Sequence, residues 1–203
     1  MDLAFYITSF VTLFVVIDPV GLAPLFVALT AGMDPAHRQA IGLRALVIGA
    51  ALLTLFGLFG EAVLGFAGIS MPAFRIAGGI LLFLTALDML FERRTQRRQG
   101  QADSHTDDPS VFPLATPLIA GPGAIATMIL LTGQTDGDWT AILLIHLVLF
   151  AVLLLTWALF LASGLLEHAL GDVGINVVTR LLGMLLAALS VQFVVDGVRA
   201  LMP

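Results

Sequence analysis

The chain has 203 residues, of which 59% are apolar and only 11% are charged, and its mean hydropathy is +1.05. Soluble domains carry about 25% charged residues, so this composition argues against a soluble enzyme or binding module. The formal net charge is −5, and cysteine is absent, which excludes disulfides, thiol nucleophiles and cysteine metal sites. We therefore expect the surroundings of this protein to be lipid.

Six apolar stretches are long enough to cross a membrane, since a spanning helix needs about 20 residues. They are predicted near residues 5–29, 40–60, 71–91, 111–132, 139–163 and 175–200. Because they occupy most of the chain, no soluble domain remains that could hold its own core. The sequence predicts an all-α membrane protein with six transmembrane helices and with its function inside the membrane.

The first span contains an interruption, because residues 18–24 read DPVGLAP. A proline inside a helix costs about 3 kcal/mol or more, so two prolines with a glycine between them predict a break. Unwound backbone at membrane depth persists only within protein or along a polar cavity. We expect Gly21 to take left-handed backbone angles and Pro24 to begin the second half-helix. The candidate binding residues of this span are Asp18, Pro19, Gly21 and Pro24.

Asp18 lies at the edge of this break, deep in an apolar run, where an unpaired carboxylate is costly. One hypothesis is that it couples solute movement to protons or sodium. The other is that it only caps the half-helix that begins at Pro19. The sequence leaves both open.

The third span carries Thr85 and Asp88 on one helical face. Thr85 is a candidate cavity residue, although such hydroxyls often bond to their own backbone, and Asp88 is expected to lie at the interface near Arg93. A polar stretch at 93–110 then predicts a linker between two repeats of three spans each, residues 1–92 and 111–203.

The fourth span repeats the interruption, because residues 116–123 read TPLIAGPG. At one common offset the prolines of the first motif fall on Pro117 and Pro122, while a threonine replaces the aspartate. Gly121 and Gly123 would let the backbone take left-handed angles and give a ligand access to it, and Pro122 is expected to begin a half-helix. The candidate binding residues of this span are Thr116, Pro117, Gly121, Pro122 and Gly123.

The third and sixth spans also correspond, since Arg75, Gly78 and Thr85 recur at one common offset as Arg180, Gly183 and Ser190. Ser190 is therefore a second candidate cavity hydroxyl. A three-span repeat reverses direction at its second copy, so the halves are predicted to be inverted repeats, as in several transporter folds. The alternative is a chance likeness between two halves rich in Leu, Ala, Val and Gly.

The arginines predict the orientation, because cytoplasmic loops of membrane proteins are enriched in positive charge. Seven are expected on one side, namely Arg38, Arg44, Arg93, Arg94, Arg97, Arg98 and Arg180, against Arg75 and Arg199 on the other. Both termini are therefore predicted outside the cytoplasm, with the 93–110 linker inside. His146 in the fifth span is interpreted as a packing residue, and no metal or cofactor site is indicated.

The two proline motifs, Asp18-Pro19-x-Gly21-x-x-Pro24 and Pro117-x-x-x-Gly121-Pro122-Gly123, resemble those of the MarC family of six-span bacterial inner-membrane proteins. That family is also classed as neutral amino acid transporters, and the likeness covers essentially the whole chain. The resemblance implies a location in the inner membrane and the transport of a small solute.

The expected function is transport of a small neutral amino acid such as glycine or alanine, by alternating access and coupled to a proton or sodium gradient. A zwitterion suits a broken span, since half-helix N-termini attract carboxylates and carbonyl ends attract cations. A channel-like pore and a non-transporting membrane scaffold remain as alternatives. An enzyme is not expected, because no Ser–His dyad, catalytic carboxylate pair or metal signature is present. The oligomeric state and the direction of transport are left open.

Overall fold

The computed structural model describes residues 2–91 and 108–202, so most of the predicted linker, with Arg93, lies outside the described residues. All the regular structure in the described part is helical. The elements are α1 (Leu3–Ile17), α2 (Pro19–Leu29), α3 (Pro35–Phe66), α4 (Met71–Leu90), a π-helical segment (Ser110–Ile119), α5 (Pro122–Thr132), a 3-10 turn (Gly133–Thr135), α6 (Trp139–Leu161) and α7 (Ser163–Leu201).

Five helical stretches of the described chain are long and apolar enough to cross a membrane. The π-helical segment and α5 make a sixth if this pair, bent by 53°, is counted as one span. The prediction of an all-helical membrane protein is thus confirmed for the described residues, with five or six candidate spans where six were predicted. α3 and α7 begin before their predicted spans, and α7 departs from helical geometry at Gly171 (φ 59°, ψ 177°).

Local capping residues explain where several helices begin. The carboxylate of Asp34 accepts hydrogen bonds from the amides of Ala36 and His37 at 3.1 and 3.0 Å. Because of this cap, α3 begins with polar residues ahead of its apolar run. These residues lie at the end of α3 that is predicted to face the cytoplasm. Asp138 caps α6 in the same way, through the amide of Thr140 at 2.9 Å. Such caps satisfy amides that have no partner within the helix.

The middle helix of each half packs against the interrupted span of the other half. α3 contacts the π-helical segment and α5, while α6 contacts α1 and α2. The third spans, α4 and α7, form the most extensive helix pair, and α3 also contacts α6. The packing between the two halves is therefore reciprocal.

Close glycine contacts show that α4 and α7 run antiparallel. A Cβ on Gly197, near the end of α7, would lie 2.7 Å from Ile76, near the start of α4. A Cβ on Gly183, earlier in α7, would lie 3.0 Å from Met89, near the end of α4. Glycine at these positions lets the two backbones approach closely, as small residues do between membrane helices.

One end of the bundle is joined by an aromatic and cationic cluster. The rings of Phe26 and Phe160 stack with centroids 4.3 Å apart. The Arg38 guanidinium lies 5.0 Å from the centre of the Phe26 ring and donates to the Ser163 hydroxyl at 2.7 Å. These contacts tie the end of α2 to the start of α3 and to the junction of α6 and α7.

Candidate functional site

The interruption of the first span is a single residue, Asp18. Its backbone is left-handed (φ 56°, ψ 63°), a conformation that aspartate adopts more readily than most residues. Its amide donates to the Phe14 carbonyl at 2.9 Å and its carbonyl accepts from the Leu22 amide at 3.0 Å. Its carboxylate accepts from the Gly21 amide at 3.1 Å. Asp18 therefore both ends α1 and caps α2.

Two details of this break differ from expectation. Pro19, not Pro24, is the first residue of α2, and Pro24 lies inside the helix. Gly21 is helical, and the left-handed residue is Asp18. Proline at the first helical position sacrifices no intrahelical donor and has a suitable φ, which favours the earlier start. Pro24 then removes the amide that would normally bond to the Val20 carbonyl.

The fourth span is interrupted over a longer stretch. Inside the π-helical segment, Phe112 and Thr116 take extended backbone angles, and each precedes a cis proline, Pro113 and Pro117. Helical geometry resumes at Pro122, the first residue of α5. Because no side chain caps the N-terminus of α5, its first amides lack the partner that Asp18 provides in α2.

Gly121 closes this second break by a close backbone contact. A Cβ at this position would lie 2.4 Å from the carbonyl oxygen of Pro117, closer than any real contact. Its angles (φ −80°, ψ 168°) are extended rather than left-handed. Glycine is therefore required here for space and not, as expected from the sequence, for conformational freedom.

The two interrupted spans and the third span meet at Gly123. A Cβ on this buried glycine would lie 3.3 Å from Leu82, 3.5 Å from Val16 and 3.6 Å from the hydroxyl of Thr85. Val16 precedes the Asp18 break by two residues. The structure thus brings together the start of α5, the end of α1 and one predicted hydroxyl. Val16 and Leu82 were not predicted, because an apolar residue in an apolar span carries no distinguishing signal.

Both candidate hydroxyls bond to carbonyls of their own helices. Thr85 donates to Leu81 at 3.0 Å, and the fully buried Ser190 donates to Ala187 at 2.7 Å. The Ser190 backbone lies against Gly79 in the α4–α7 interface. Each hydroxyl oxygen can still accept a hydrogen bond.

The candidate residues of the two proline motifs differ in their exposure to the surroundings. Asp18, Pro19 and Gly123 are buried, whereas Gly21, Pro24, Pro117 and Gly121 are half-buried and Thr116 and Pro122 are exposed. Thr116 therefore does not occupy an environment equivalent to that of Asp18. The two breaks are related in sequence but not in the burial of their first residue.

His146 is buried within α6, as expected for a packing residue. Its Nδ1 lies 2.8 Å from the carbonyl of Ile142, and its Nε2 has no hydrogen-bond partner among the described residues. Nε2 faces α3, 3.0 Å from where a Cβ on Gly57 would stand. Glycine at this position makes room for the ring between the helices.

An exposed ion pair lies at the entrance of the fourth span. The Arg44 guanidinium in α3 pairs with the carboxylate of Asp108, just before the π-helical segment. Hydrogen bonds from Ser110, together with this guanidinium, hold the pKa of the Asp108 carboxyl below its ordinary value. Because both side chains are well exposed, solvent screens the pair.

Comparison with known proteins identifies relatives along the whole chain. A family model described as MarC family integral membrane protein matches residues 3–202. A UPF0056 membrane protein of Methanocaldococcus jannaschii is 38% identical over 98% of this chain and 98% of its own. The UPF0056 membrane protein YhcE of Escherichia coli is 36% identical over 100% of this chain and 95% of its own.

The names of these relatives specify a membrane protein and no solute. No solved structure matches this chain significantly. The full-length family match, the identity to these relatives and the apolar helices agree with one another. The chain is an integral, multi-pass membrane protein and belongs to the MarC family.

Proposed function

We propose that this protein is a secondary transporter of small neutral amino acids, built from two inverted three-helix repeats. Reciprocal packing supports the repeats, since each middle helix packs on the other half's interrupted span and the third spans run antiparallel. A twofold axis in the membrane plane produces such a pattern. Inverted repeats with interrupted helices at their interface are a recurrent basis of alternating access.

The observation that carries the proposal is the burial of Asp18, which is 0% exposed within an apolar span. Ionisable residues at membrane depth are costly, and they mark solute or ion pathways more often than they serve packing. Capping alone would need only a neutral acceptor, which asparagine or serine supplies. A carboxylate in this position therefore favours a role in which its charge is used.

The two breaks offer complementary chemistry for a zwitterion. The Asp18 carboxylate can accept hydrogen bonds from an ammonium group, whereas the N-terminus of α5 has no side-chain cap. The positive end of the α5 dipole suits a carboxylate. The contact between Gly123 and Val16 places these two features in neighbouring parts of the bundle. Gly123 also limits the size of the solute, because Leu82 and Thr85 close the space around it.

The proposed coupling ion is a proton or sodium, held at Asp18. The proposed location is the cytoplasmic membrane of a prokaryote, with both termini outside and the linker inside. Arg38 and Arg44 lie near the start of α3, at the end of the bundle that is proposed to face the cytoplasm. They agree with that orientation because cytoplasmic segments of membrane proteins are enriched in positive charge.

The test is uptake of labelled glycine, alanine and serine into proteoliposomes, with and without proton or sodium gradients. The wild type is expected to show saturable counterflow and gradient-driven accumulation. Asp18→Asn retains an acceptor for the cap and for the ammonium group but removes the charge. Accumulation should therefore be lost, while counterflow should persist with a higher half-saturating solute concentration. Asp2→Asn is the matched control, because Asp2 caps α1 through the Phe5 amide at 3.0 Å at an exposed site.

The outcomes separate the proposal from its rivals. Flux that never saturates would indicate a channel-like pore, and absence of flux with all three solutes would indicate a scaffold. Accumulation by Asp18→Asn equal to that of the wild type would refute coupling at this residue.

A further inference from the structure

A cavity with a mixed polar and apolar lining opens at the end of the bundle where α1 begins and α7 ends. It has a volume of about 130 Å³ and lies between α1, the end of α5 and α7. One ordered water needs roughly 10–15 Å³ of such space, so the cavity can hold several waters or one small solute. Its polar lining consists of Thr8, Ser9, Thr12, Gln134, Gln192 and Asp196.

The serine and both threonines of α1 belong to this lining, and two of these three residues are deeply buried. Ser9 is 0% and Thr12 is 1% exposed. Ser9 donates to the Phe5 carbonyl and Thr12 to the Thr8 carbonyl, both at 2.8 Å. Because the hydroxyl hydrogens of Ser9 and Thr12 are both used, these two hydroxyls can offer the cavity only their oxygen lone pairs.

The other polar groups add acceptors and one negative charge. Gln192 donates to the Asp196 carboxylate at 2.8 Å, and Gln134 donates to the Leu130 carbonyl at 3.1 Å. Among the described residues that line the cavity, none is cationic. This acceptor-rich lining favours a solute that brings hydrogen-bond donors and positive charge, and it disfavours an anion.

The cavity walls lead to the two breaks. α1 runs from Thr12 to Asp18, roughly 9 Å away at about 1.5 Å per residue. α5 starts at Pro122, contacts the Asp18 region through Gly123, and reaches the cavity at Leu131. The cavity and the paired breaks therefore lie at different depths along the same two helices.

We propose that this cavity is an outer binding site, which holds the ammonium group of a small amino acid before the solute reaches the breaks. The choice of solute rests on the proposed function, whereas the site itself rests on the cavity and its buried hydroxyls. Asp196 and the α1 hydroxyl oxygens contact the ammonium group. The solute carboxylate is left pointing away from them, toward the open side.

The natural absence of cysteine allows a direct test by single-cysteine labelling. Thr12→Cys and Gln134→Cys place a thiol in the cavity of the full-length protein in proteoliposomes. A membrane-impermeant cationic methanethiosulfonate, added from outside, should label both. Met202→Cys, at an exposed terminal residue, reports the fraction of molecules with this end outward. Leu147→Cys should not react, because this exposed apolar position is expected to face lipid and is about as far from the start of α6 as Thr12 is from the start of α1.

Protection by solute identifies the ligand class. Saturating alanine should slow labelling of Thr12→Cys at least fivefold, while lactate, which carries a hydroxyl in place of the ammonium, should not. Asp196→Asn should abolish protection by alanine, and the control Asp136→Asn, in an exposed turn near the same end, should keep it.

Absence of labelling at both cavity positions, or equal effects of alanine and lactate, would overturn the inference. Alanine uptake by the wild type is measured in parallel. Alanine uptake without protection from labelling rejects this site and leaves the transporter proposal standing. Protection without uptake supports the site and rejects the transporter proposal.

Discussion

The two interrupted spans break in different ways, although their proline motifs correspond. In the first, one left-handed residue separates α1 from α2, and the carboxylate of that residue, Asp18, caps the second helix. In the second, the π-helical segment leads into an uncapped α5 with a 53° bend. One break carries a charge and the other leaves backbone amides without a side-chain partner.

This difference shows how a duplicated motif can acquire two chemistries. A capping carboxylate occupies the positive end of a helix dipole and makes the site suitable for a cation. The cap position of α5 is Gly121, which has no side chain, so the positive end of that helix remains available for an anion. We propose that the asymmetry between the halves is what lets the pair of breaks receive a zwitterion.

The largest expected effect comes from the close contact in the second break. Gly121→Ala would place a Cβ 2.4 Å from the Pro117 carbonyl oxygen, so the backbone must shift, at a cost of about 3 kcal/mol. Thermal unfolding in detergent should show this loss. Gly65→Ala in α3, with open space around the added Cβ, is the control and should be neutral or stabilising by up to about 1 kcal/mol. Equal stability of the two variants would contradict the assigned geometry.

The next effect concerns the first break. Asp18→Ala removes the cap and puts alanine into a left-handed backbone conformation that it adopts poorly. The free energy of unfolding is therefore expected to fall by about 2 kcal/mol. Asp18→Gly loses the cap but tolerates the backbone, and Asp18→Asn retains both features. Unfolding temperatures should therefore rank Asn above Gly and Gly above Ala. A glycine variant less stable than the alanine variant would argue against the left-handed assignment.

A smaller effect on stability, with a large effect on function, is expected where the spans meet. Gly123→Ala brings a methyl group to ordinary contact distance of Val16 and Thr85 but tight against Leu82, so stability should change by less than about 1 kcal/mol. Because the methyl group would project into the proposed solute path between the breaks, alanine counterflow should fall more than tenfold. Unaltered counterflow would show that solute does not pass this point.

The smallest effect is expected at the entrance of the fourth span. The exposed Arg44–Asp108 pair should contribute less than about 1 kcal/mol. The folded state lowers the Asp108 pKa from its ordinary 3.8, so this contribution is present above that pH and is lost as the pH falls through the lowered value. The stability difference between wild type and Asp108→Asn, measured at pH 7, 5 and 3, should shrink at the lowest pH. A difference that grows in acid would contradict the direction of the shift.

Much of the fold follows from local rules that act along the chain. Apolar runs of about 20 residues predict spans, and the proline pairs predict interruptions near residues 18–24 and 116–123. The precise break was misplaced in the first motif because Pro19 and Pro24 both suit the start of a helix, and only the capping by Asp18 favours the first. The hydroxyls at Thr8, Ser9 and Thr12 carried a detectable signal, being close together in an apolar helix, but their cavity required α7.

Hydropathy, read from the sequence alone, determined that the protein is helical and spans the membrane, and proline chemistry predicted two interrupted spans. Hydropathy and proline effects both act through residues that are neighbours in the chain. Lipid offers the backbone no hydrogen-bond partners of its own, so these local effects decide the structure. The tertiary structure decided that Asp18 is buried while Thr116 is exposed, and that Gly123 meets Val16 and Thr85. Burial and proximity of this kind depend on contacts between helices that are distant in the chain, and no local pattern encodes them.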